Sequence, residues 1–216
     1  RNGGGSGANG AGGVGVTGAN LAIVNSGGIS GGLGGDGVTR AAAVEFTGGS
    51  NSLRLNTGSV LTGAVAIDSG ATASIVAGAG GLNPGNALLL GGTGTFDTNG
   101  NDMGWSGPIS GAGNLVKSGA GTLTLSGANV YTGSTNVAAG TLRAGAANTL
   151  SSASAFTVGT GATLDLAGNN QTIASMANSG TVSLVGSAPG TTLTVTGPWV
   201  GNGGTLRLGT ALGDSS

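Results

Sequence analysis

A short pattern, Thr-apolar-polar-apolar with glycine shortly before it, recurs along the chain. The clearest copies are residues 122–125, 141–144, 163–166, 181–184 and 205–208, and looser copies begin at residues 20, 52, 72 and 95. Because strand side chains alternate, each copy sends its two apolar side chains to one face and its central residue to the other. A lone strand of this kind cannot cover its apolar face, whereas stacked coils bury it in a continuous column.

Glycine content and the uneven spacing of the pattern favour a stack of strands over any helical fold. Gly occupies 51 of the 216 positions, and each Gly inside a helix costs about 1 kcal/mol. Copies repeating at intervals of about 20 residues, with insertions, are typical of a solenoid with variable loops. The sequence therefore predicts an all-β fold, a right-handed parallel β-helix of roughly nine coils. We expect residues 1–19 to form a Gly-rich irregular start or N-terminal coil, residues 20–198 the β-helix and residues 199–216 its last coil.

The alternation also predicts which side chains lie inside the stack and which lie outside. The predicted inner column includes Leu123, Leu125, Leu164, Leu166, Leu206 and Leu208. Arg143 and Asp165 hold the same central position in consecutive copies. Because stacked strands lie about 4.8 Å apart, we expect these two side chains to be neighbours on the outer face.

The composition excludes several classes of function. The chain has no Cys and no His, and six basic and seven acidic residues leave a net charge of −1. A disulfide framework and thiolate metal sites are therefore excluded, and no basic surface is available for nucleic acid. No run reaches the roughly 18 apolar residues of a membrane-spanning helix, so we expect no membrane span in this chain. Since it opens at Arg1 without a signal peptide, we expect a processed or excised fragment.

Three short motifs resemble chemical sites but lack the residues that such sites need. Ser215 follows Gly213 and Asp214 as a nucleophile would, but no His is present as base, and Lys117 lies almost a hundred residues upstream. Residues 31–39 fit one calcium-binding β-roll repeat around Asp36, but no second copy follows to complete a cage. Residues 91–94 resemble a phosphate loop without a following helix. We therefore predict no catalytic, cofactor or metal site, with a linker at Ser215 and a Gly-rich surface loop at Asp36.

Three aromatic residues are candidates for stacking on glycans. They are Trp105, Tyr131 and Trp199. An aromatic ring with a polar tip suits a sugar face, but it equally suits a loop or the end of a stack. Both interpretations stay open at this point.

One stretch resembles a known family. Residues 113–127 read Gly-Asn-Leu-Val-Lys-Ser-Gly-Ala-Gly-Thr-Leu-Thr-Leu-Ser-Gly, followed by Tyr-Thr-Gly at 131–133 and Gly-Thr-Leu-Arg at 140–143. Over residues 111–145 the chain resembles the passenger-associated repeat of bacterial autotransporters. This resemblance implies a β-helix that is secreted through an outer-membrane β-barrel of the full-length protein and folds on a Gram-negative cell surface. Residues 199–216 are similar to the point where such a β-helix enters an autochaperone region, and we expect that region to be absent from this chain.

The resemblance implies a location but no single activity, since one fold carries many functions. We expect a non-enzymatic cell-surface or secreted scaffold that adheres to a host or bacterial surface or associates with itself. A glycan-active enzyme is the alternative from another class, and it would need a carboxylate pair in a groove. A third possibility is an inert spacer or folding nucleus for a functional head that lies N-terminal to this segment.

Overall fold

The structure, a computed structural model, describes residues 11–186 and 190–208. Within these residues every regular element is a β-strand, and no helix is formed. The first twelve strands are β1 (Val16–Ala19), β2 (Ala22–Asn25), β3 (Gly28–Ser30), β4 (Val44–Gly48), β5 (Ser50–Leu55), β6 (Val60–Thr62), β7 (Val65–Ile67), β8 (Thr72–Ala77), β9 (Leu88–Leu90), β10 (Thr93–Asp97), β11 (Met103–Trp105) and β12 (Ile109–Ser110). The next twelve are β13 (Asn114–Ser118), β14 (Thr122–Leu125), β15 (Thr135–Val137), β16 (Thr141–Ala144), β17 (Ala155–Val158), β18 (Thr163–Asp165), β19 (Gln171–Ile173), β20 (Ser175–Asn178), β21 (Thr181–Ser183), β22 (Leu193–Val195), β23 (Trp199–Gly201) and β24 (Thr205–Arg207).

The strands stack into three long parallel sheets that form the faces of a solenoid. Their orders are β1-β4-β7-β9-β12, β2-β5-β8-β10-β13-β15-β17-β20-β23 and β11-β14-β16-β18-β21-β24, and two further sheets have two strands each. Nine stacked strands in the longest sheet correspond to about eight turns of the coil. An isolated bridge between Leu33 and Arg40 is antiparallel. The architecture confirms the predicted all-β fold and matches a right-handed parallel β-helix, the hand that parallel crossovers favour.

The predicted alignment of the repeats is correct in the C-terminal half of the chain. The five clearest copies of the pattern stack in the six-stranded sheet with their threonines in register, in the order Thr122, Thr141, Thr163, Thr181 and Thr205. The alternation of the pattern is thus enough to set the register where each coil repeats the same tetrad.

The alignment is wrong in the N-terminal half, in two ways. The earlier copies belong to the nine-stranded sheet, so the copies at residues 95 and 122 do not stack on each other. Within that sheet Thr72 opposes Ser50, whereas the sequence predicted Ser52, and Thr93 rather than Thr95 opposes Thr72. A slip of two residues keeps the same side chains inside. The alternation alone therefore cannot distinguish these registers.

A continuous apolar column runs through the stack. Leu123, Leu125, Leu164 and Leu166 are fully buried, as predicted. Leu206 and Leu208 are 48% and 67% exposed, so their predicted burial is wrong. Both belong to the last described coil, and none of the described strands lies beyond β24 to cover them. A side chain in an end coil is covered by a neighbouring strand on one side, so it buries about half of the surface area that a side chain in an inner coil buries.

The division of the chain into residues 1–19, 20–198 and 199–216 stays a prediction. Strand β1 already lies within the first of these segments and pairs with β4. The last segment contains β23 and β24.

Candidate functional site

The solvent-facing side of the six-stranded sheet, which we call the outer face, carries two parallel rows of polar side chains. The threonine row consists of Thr122, Thr141, Thr163, Thr181 and Thr205. The central row, two residues further along each strand, consists of Gly104, Thr124, Arg143, Asp165, Ser183 and Arg207. The apolar side chains between the rows on the inner coils, Leu123, Leu142, Leu164 and Val182, are buried in the core, which fixes the direction of both rows.

The hydroxyls of the threonine row are free to bind an external group. Thr122, Thr141, Thr163 and Thr181 are partly exposed and Thr205 is exposed. Their backbones form the ladder of the sheet. Each side chain nonetheless keeps an unused hydroxyl donor and acceptor, because none of the five makes a side-chain hydrogen bond within the described residues. The stack repeats these hydroxyls at the strand spacing of about 4.8 Å.

The predicted neighbours of the central row are confirmed. Arg143 opposes Asp165 in adjacent strands, and Nε of Arg143 lies 3.7 Å from Oδ2 of Asp165. Their side chains are 51% and 22% exposed. The other carboxylate oxygen of Asp165 accepts a 2.9 Å hydrogen bond from the backbone N–H of Ala167. An ion pair this exposed contributes only about 0–1 kcal/mol to stability, so these charges are available to an external partner.

Two shallow grooves lie on the outer face, one towards each end. The groove near the C-terminal end has a volume of about 430 Å³ and is lined by Asp165, Ser183 and Arg207 together with three threonines of the threonine row. The other groove has a volume of about 280 Å³ and lies over Gly104, between Asn83 and Thr124. Asp102 stands on its rim, where one carboxylate oxygen accepts a 2.7 Å hydrogen bond from the N–H of Thr122.

Lys117 lies inside the stack, which the sequence reasoning missed. Its side chain is fully buried, and its ammonium donates to Oγ1 of Thr98 at 3.1 Å and to the carbonyl oxygens of Ser118, Gly119 and Ala139 at 2.7, 2.8 and 3.0 Å. Four oxygens from three successive coils thus share one cation. Strand alternation could have predicted the burial of Lys117. Lys117 follows Leu115 by two residues in the same strand, so both side chains point to the inward face.

Burial lowers the pKa of Lys117 from 10.5 to about 8. Removing an ammonium from water disfavours its charged form, and the negative charges of Asp97 and Asp102 oppose this effect only in part. Lys117 therefore acts within the core, where it satisfies carbonyl groups, and its buried ammonium is not presented to solvent as a catalytic base.

Two of the three aromatic candidates for glycan stacking belong to the core. Tyr131 and Trp105 are fully buried, so a role in stacking on an external sugar is wrong for both. Trp105 meets Phe96 edge to face, with ring centroids 5.3 Å apart. Trp199 is 42% exposed and remains available to a ligand.

A chain of buried hydroxyls holds Tyr131 in place. Its hydroxyl lies 2.6 Å from Oγ1 of Thr135, which lies 2.8 Å from Oγ of Ser154. Ser154 donates to the carbonyl oxygen of Gly133 at 2.7 Å. Burial raises the pKa of Tyr131 from 10.0 to about 12, because the phenolate would be out of contact with water.

The calcium-like motif forms a closed local turn. One carboxylate oxygen of Asp36 accepts from the N–H groups of Val38 and Thr39 at 3.0 and 2.9 Å, and its other oxygen is bound by the Thr39 hydroxyl. These hydrogen bonds lower the pKa of Asp36. No cluster of three or more potential metal-binding side chains occurs in residues 11–186 and 190–208.

The motif at residues 91–94, which resembles a phosphate loop, does not form an anion site. The N–H groups of Gly91 and Gly92 donate to the carbonyl oxygen of Ile67, and that of Thr93 donates to Ala71. These groups therefore serve the coil stack instead of a phosphate. Ser215 lies outside the described residues. The described residues also contain no helix long and apolar enough to cross a membrane.

Comparison with known proteins supports the resemblance noted in the sequence. The profile of the passenger-associated-transport-repeat family matches residues 115–144. This segment runs from β13 to β16 and contains Lys117, Tyr131 and Arg143. The match confirms the resemblance to an autotransporter passenger domain.

A relative of unknown activity shares part of the chain. An uncharacterized protein, YuaQ of Escherichia coli strain K12, is 30% identical over 108 residues. The aligned region spans 50% of this chain but 8% of the relative. No solved structure matches significantly.

Proposed function

We propose that this chain, whose residues 115–144 match the passenger-associated transport repeat, is a non-enzymatic segment of an autotransporter passenger on the surface of a Gram-negative cell. Its role is adhesion to a host or bacterial surface, or association between passengers. The fold supplies a stiff rod, because each coil is hydrogen-bonded to the next through the nine-stranded sheet and through the five-stranded or the six-stranded sheet.

The outer face carries this proposal. Adhesion through a flat surface needs many weak polar contacts in a fixed arrangement rather than one deep pocket. Free hydroxyls at the strand spacing, flanked by Arg143 and Asp165, meet this need. Both grooves on the face are shallow, so a partner would contact the surface along its length.

The spacing of the carboxylates on the outer face speaks against a glycan-active enzyme. Asp102 precedes β11 and Asp165 lies on β18, three steps further along the sheet order. At about 4.8 Å a step the two strands are about 14 Å apart. Glycosidases hold their two carboxyl groups about 5–10 Å apart. Asp165 is also engaged by Arg143.

Display of the chain on Gram-negative cells tests the proposal. Cells that carry it should settle from suspension, or bind an epithelial or plastic surface, faster than cells carrying the same display vector without it. Equal settling and equal binding would indicate the inert spacer instead. Purified chain that releases reducing ends from a panel of polysaccharides would overturn the non-enzymatic role.

A further inference from the structure

The connection from β3 to β4 leaves the stack as a loop, residues 33–41, which we call the protruding loop. An antiparallel bridge between Leu33 and Arg40 closes its base. Residues 35–40 are all exposed, and Val38 exposes 82% of its surface. The protruding loop therefore buries little surface against the coils beside it.

The hydrogen bonds of the protruding loop close within the loop and its base. The N–H of Gly34 donates to the carbonyl oxygen of Thr39 at 2.7 Å, and that of Ala41 donates to Gly32 at 3.0 Å. The carboxylate of Asp36 accepts two N–H groups and a hydroxyl from further along the loop. Opening the loop breaks these local bonds and leaves the ladders of β3 and β4 intact. Such a local opening costs a small part of the free energy that global unfolding costs.

Arg40 stands at the end of this loop with its side chain exposed. Its guanidinium makes one hydrogen bond, a 2.6 Å contact from Nη1 to the carbonyl oxygen of Gly31. Trypsin-like proteases select a substrate arginine with a carboxylate at the bottom of a pocket. When the loop opens, Arg40 and its peptide bond to Ala41 can extend into the cleft of such an enzyme.

The other basic residues of the described part of the chain are held in the stack. Lys117 is fully buried. Arg54 and Arg143 lie on strands that pair with a neighbouring strand on both sides. Arg207 lies on β24, which pairs with β21. Cleavage at any of these four residues requires a strand to leave its sheet, whereas cleavage after Arg40 requires only a loop to open.

We propose that the protruding loop is a processing site, where a trypsin-like serine protease outside the cell cuts the chain between Arg40 and Ala41. The reaction is hydrolysis. One water molecule adds across the peptide bond, which leaves a carboxylate on Arg40 and an amino group on Ala41. The inference uses the extracellular location in the proposed function and is independent of the adhesive role.

The stack survives this cut. Strand β4 keeps its pairing with β7, and β5 keeps its pairing with β8. The apolar column on the C-terminal side of the cut contains Phe46, Leu53 and Leu55, which are fully buried. The product is therefore a folded, protease-resistant fragment that begins at Ala41, and not a chain that is digested throughout.

Brief digestion of the purified chain with a low concentration of trypsin tests the site. Mass spectrometry and N-terminal sequencing should identify Ala41 as the first new N-terminus. Arg40→Gln should abolish this cut and Arg40→Lys should retain it, while circular dichroism shows both variants folded. A first cut after another basic residue of the described part of the chain, or equal digestion of the native chain and Arg40→Gln, would overturn the proposal.

The rate of cutting tests whether local opening of the loop exposes the bond. Proteolysis of a transiently open state follows its population, so Asp36→Ala should speed the cut by about three- to fivefold because the loop loses hydrogen bonds. Asp68→Ala, the same change in the turn between β7 and β8, is the matched control and should leave the rate unchanged. An equal rate in native chain and Asp36→Ala would overturn the local-opening route.

Cells that display the chain separate this inference from the proposed function. Brief trypsin treatment of these cells should give the same Ala41 terminus, and cells that display Arg40→Gln should give none. A cut in purified chain without a cut on cells would overturn the processing role and leave the adhesive function standing. Loss of the adhesive function would appear instead as absent settling and binding by untreated cells, with the cut unaffected.

Discussion

The ammonium of Lys117 lies 3.1 Å from Oγ1 of Thr98, one coil earlier in the stack, and both side chains are fully buried. The same ammonium reaches the carbonyl oxygen of Ala139, one coil later. A single cation in the core therefore holds the turns of three coils together. The ammonium is also a titratable group within a column that is otherwise mostly apolar.

Replacing Lys117 by Met should destabilise the chain by about 2 kcal/mol. The carbonyl oxygens of Gly119 and Ala139 would lose a donor, and each buried group left unpaired costs about 1–3 kcal/mol, offset in part because the buried charge is gone. Urea melts at pH 7 measure the change. Val116→Thr, on the outward side of the same strand, is the matched control and should shift the midpoint little. Equal midpoints would mean that the hydrogen bonds of Lys117 add nothing.

Stability should rise with pH between about 8 and 10.5, and Lys117 should be the cause. The folded pKa of about 8 lies below the unfolded value of 10.5, so the unfolded state binds more protons in this window. The free energy of unfolding then increases with pH, by roughly 3 kcal/mol over the whole window at 1.36 kcal/mol per pKa unit. Urea melts of the native chain and of Lys117→Met should diverge there. A rise of the same size in both would assign it to another group.

Tyr131 should produce the opposite trend at higher pH. Its folded pKa of about 12 exceeds the ordinary 10.0, so the unfolded state loses its proton first and stability falls as pH rises from about 10 to 12. Tyr131→Phe should remove this fall and cost about 1 kcal/mol at pH 7, because the hydrogen bond to Thr135 is lost. Unfolding followed by circular dichroism across this range measures both effects. A fall that persists in Tyr131→Phe would contradict the assignment.

The inward and outward positions of one sheet should respond very differently to a carboxylate. Leu164 is fully buried, so Leu164→Asp should cost more than about 4 kcal/mol or prevent folding, because an unpaired charge would enter a dry column. Thr124→Asp, on the outer face, should change the free energy of unfolding by about 0.5 kcal/mol or less. Similar urea midpoints for the two variants would contradict the assigned faces.

The alternation of Leu164 and Asp165 was sufficient to predict burial, exposure and the neighbour of Asp165 in the preceding coil, Arg143. Strand side chains point to opposite faces with a period of two, so a repeated tetrad specifies an inner and an outer row without any knowledge of the rest. The resemblance to the passenger-associated repeat rested on local motifs and was likewise visible from the sequence.

Long-range packing decided the rest. The sequence could not assign the copies at residues 95 and 122 to different sheets, because both show the same alternation and only closure of the coil places them on different faces. A slip of two residues leaves the core unchanged, so the register of Thr72 against Ser50 depended on how the turns fit together. The burial of Lys117, Trp105 and Tyr131 also could not be predicted from the composition of the chain. A polar group enters a core when neighbouring coils supply its hydrogen-bond partners, as they do for Lys117, and those partners lie about 20 residues away in the sequence.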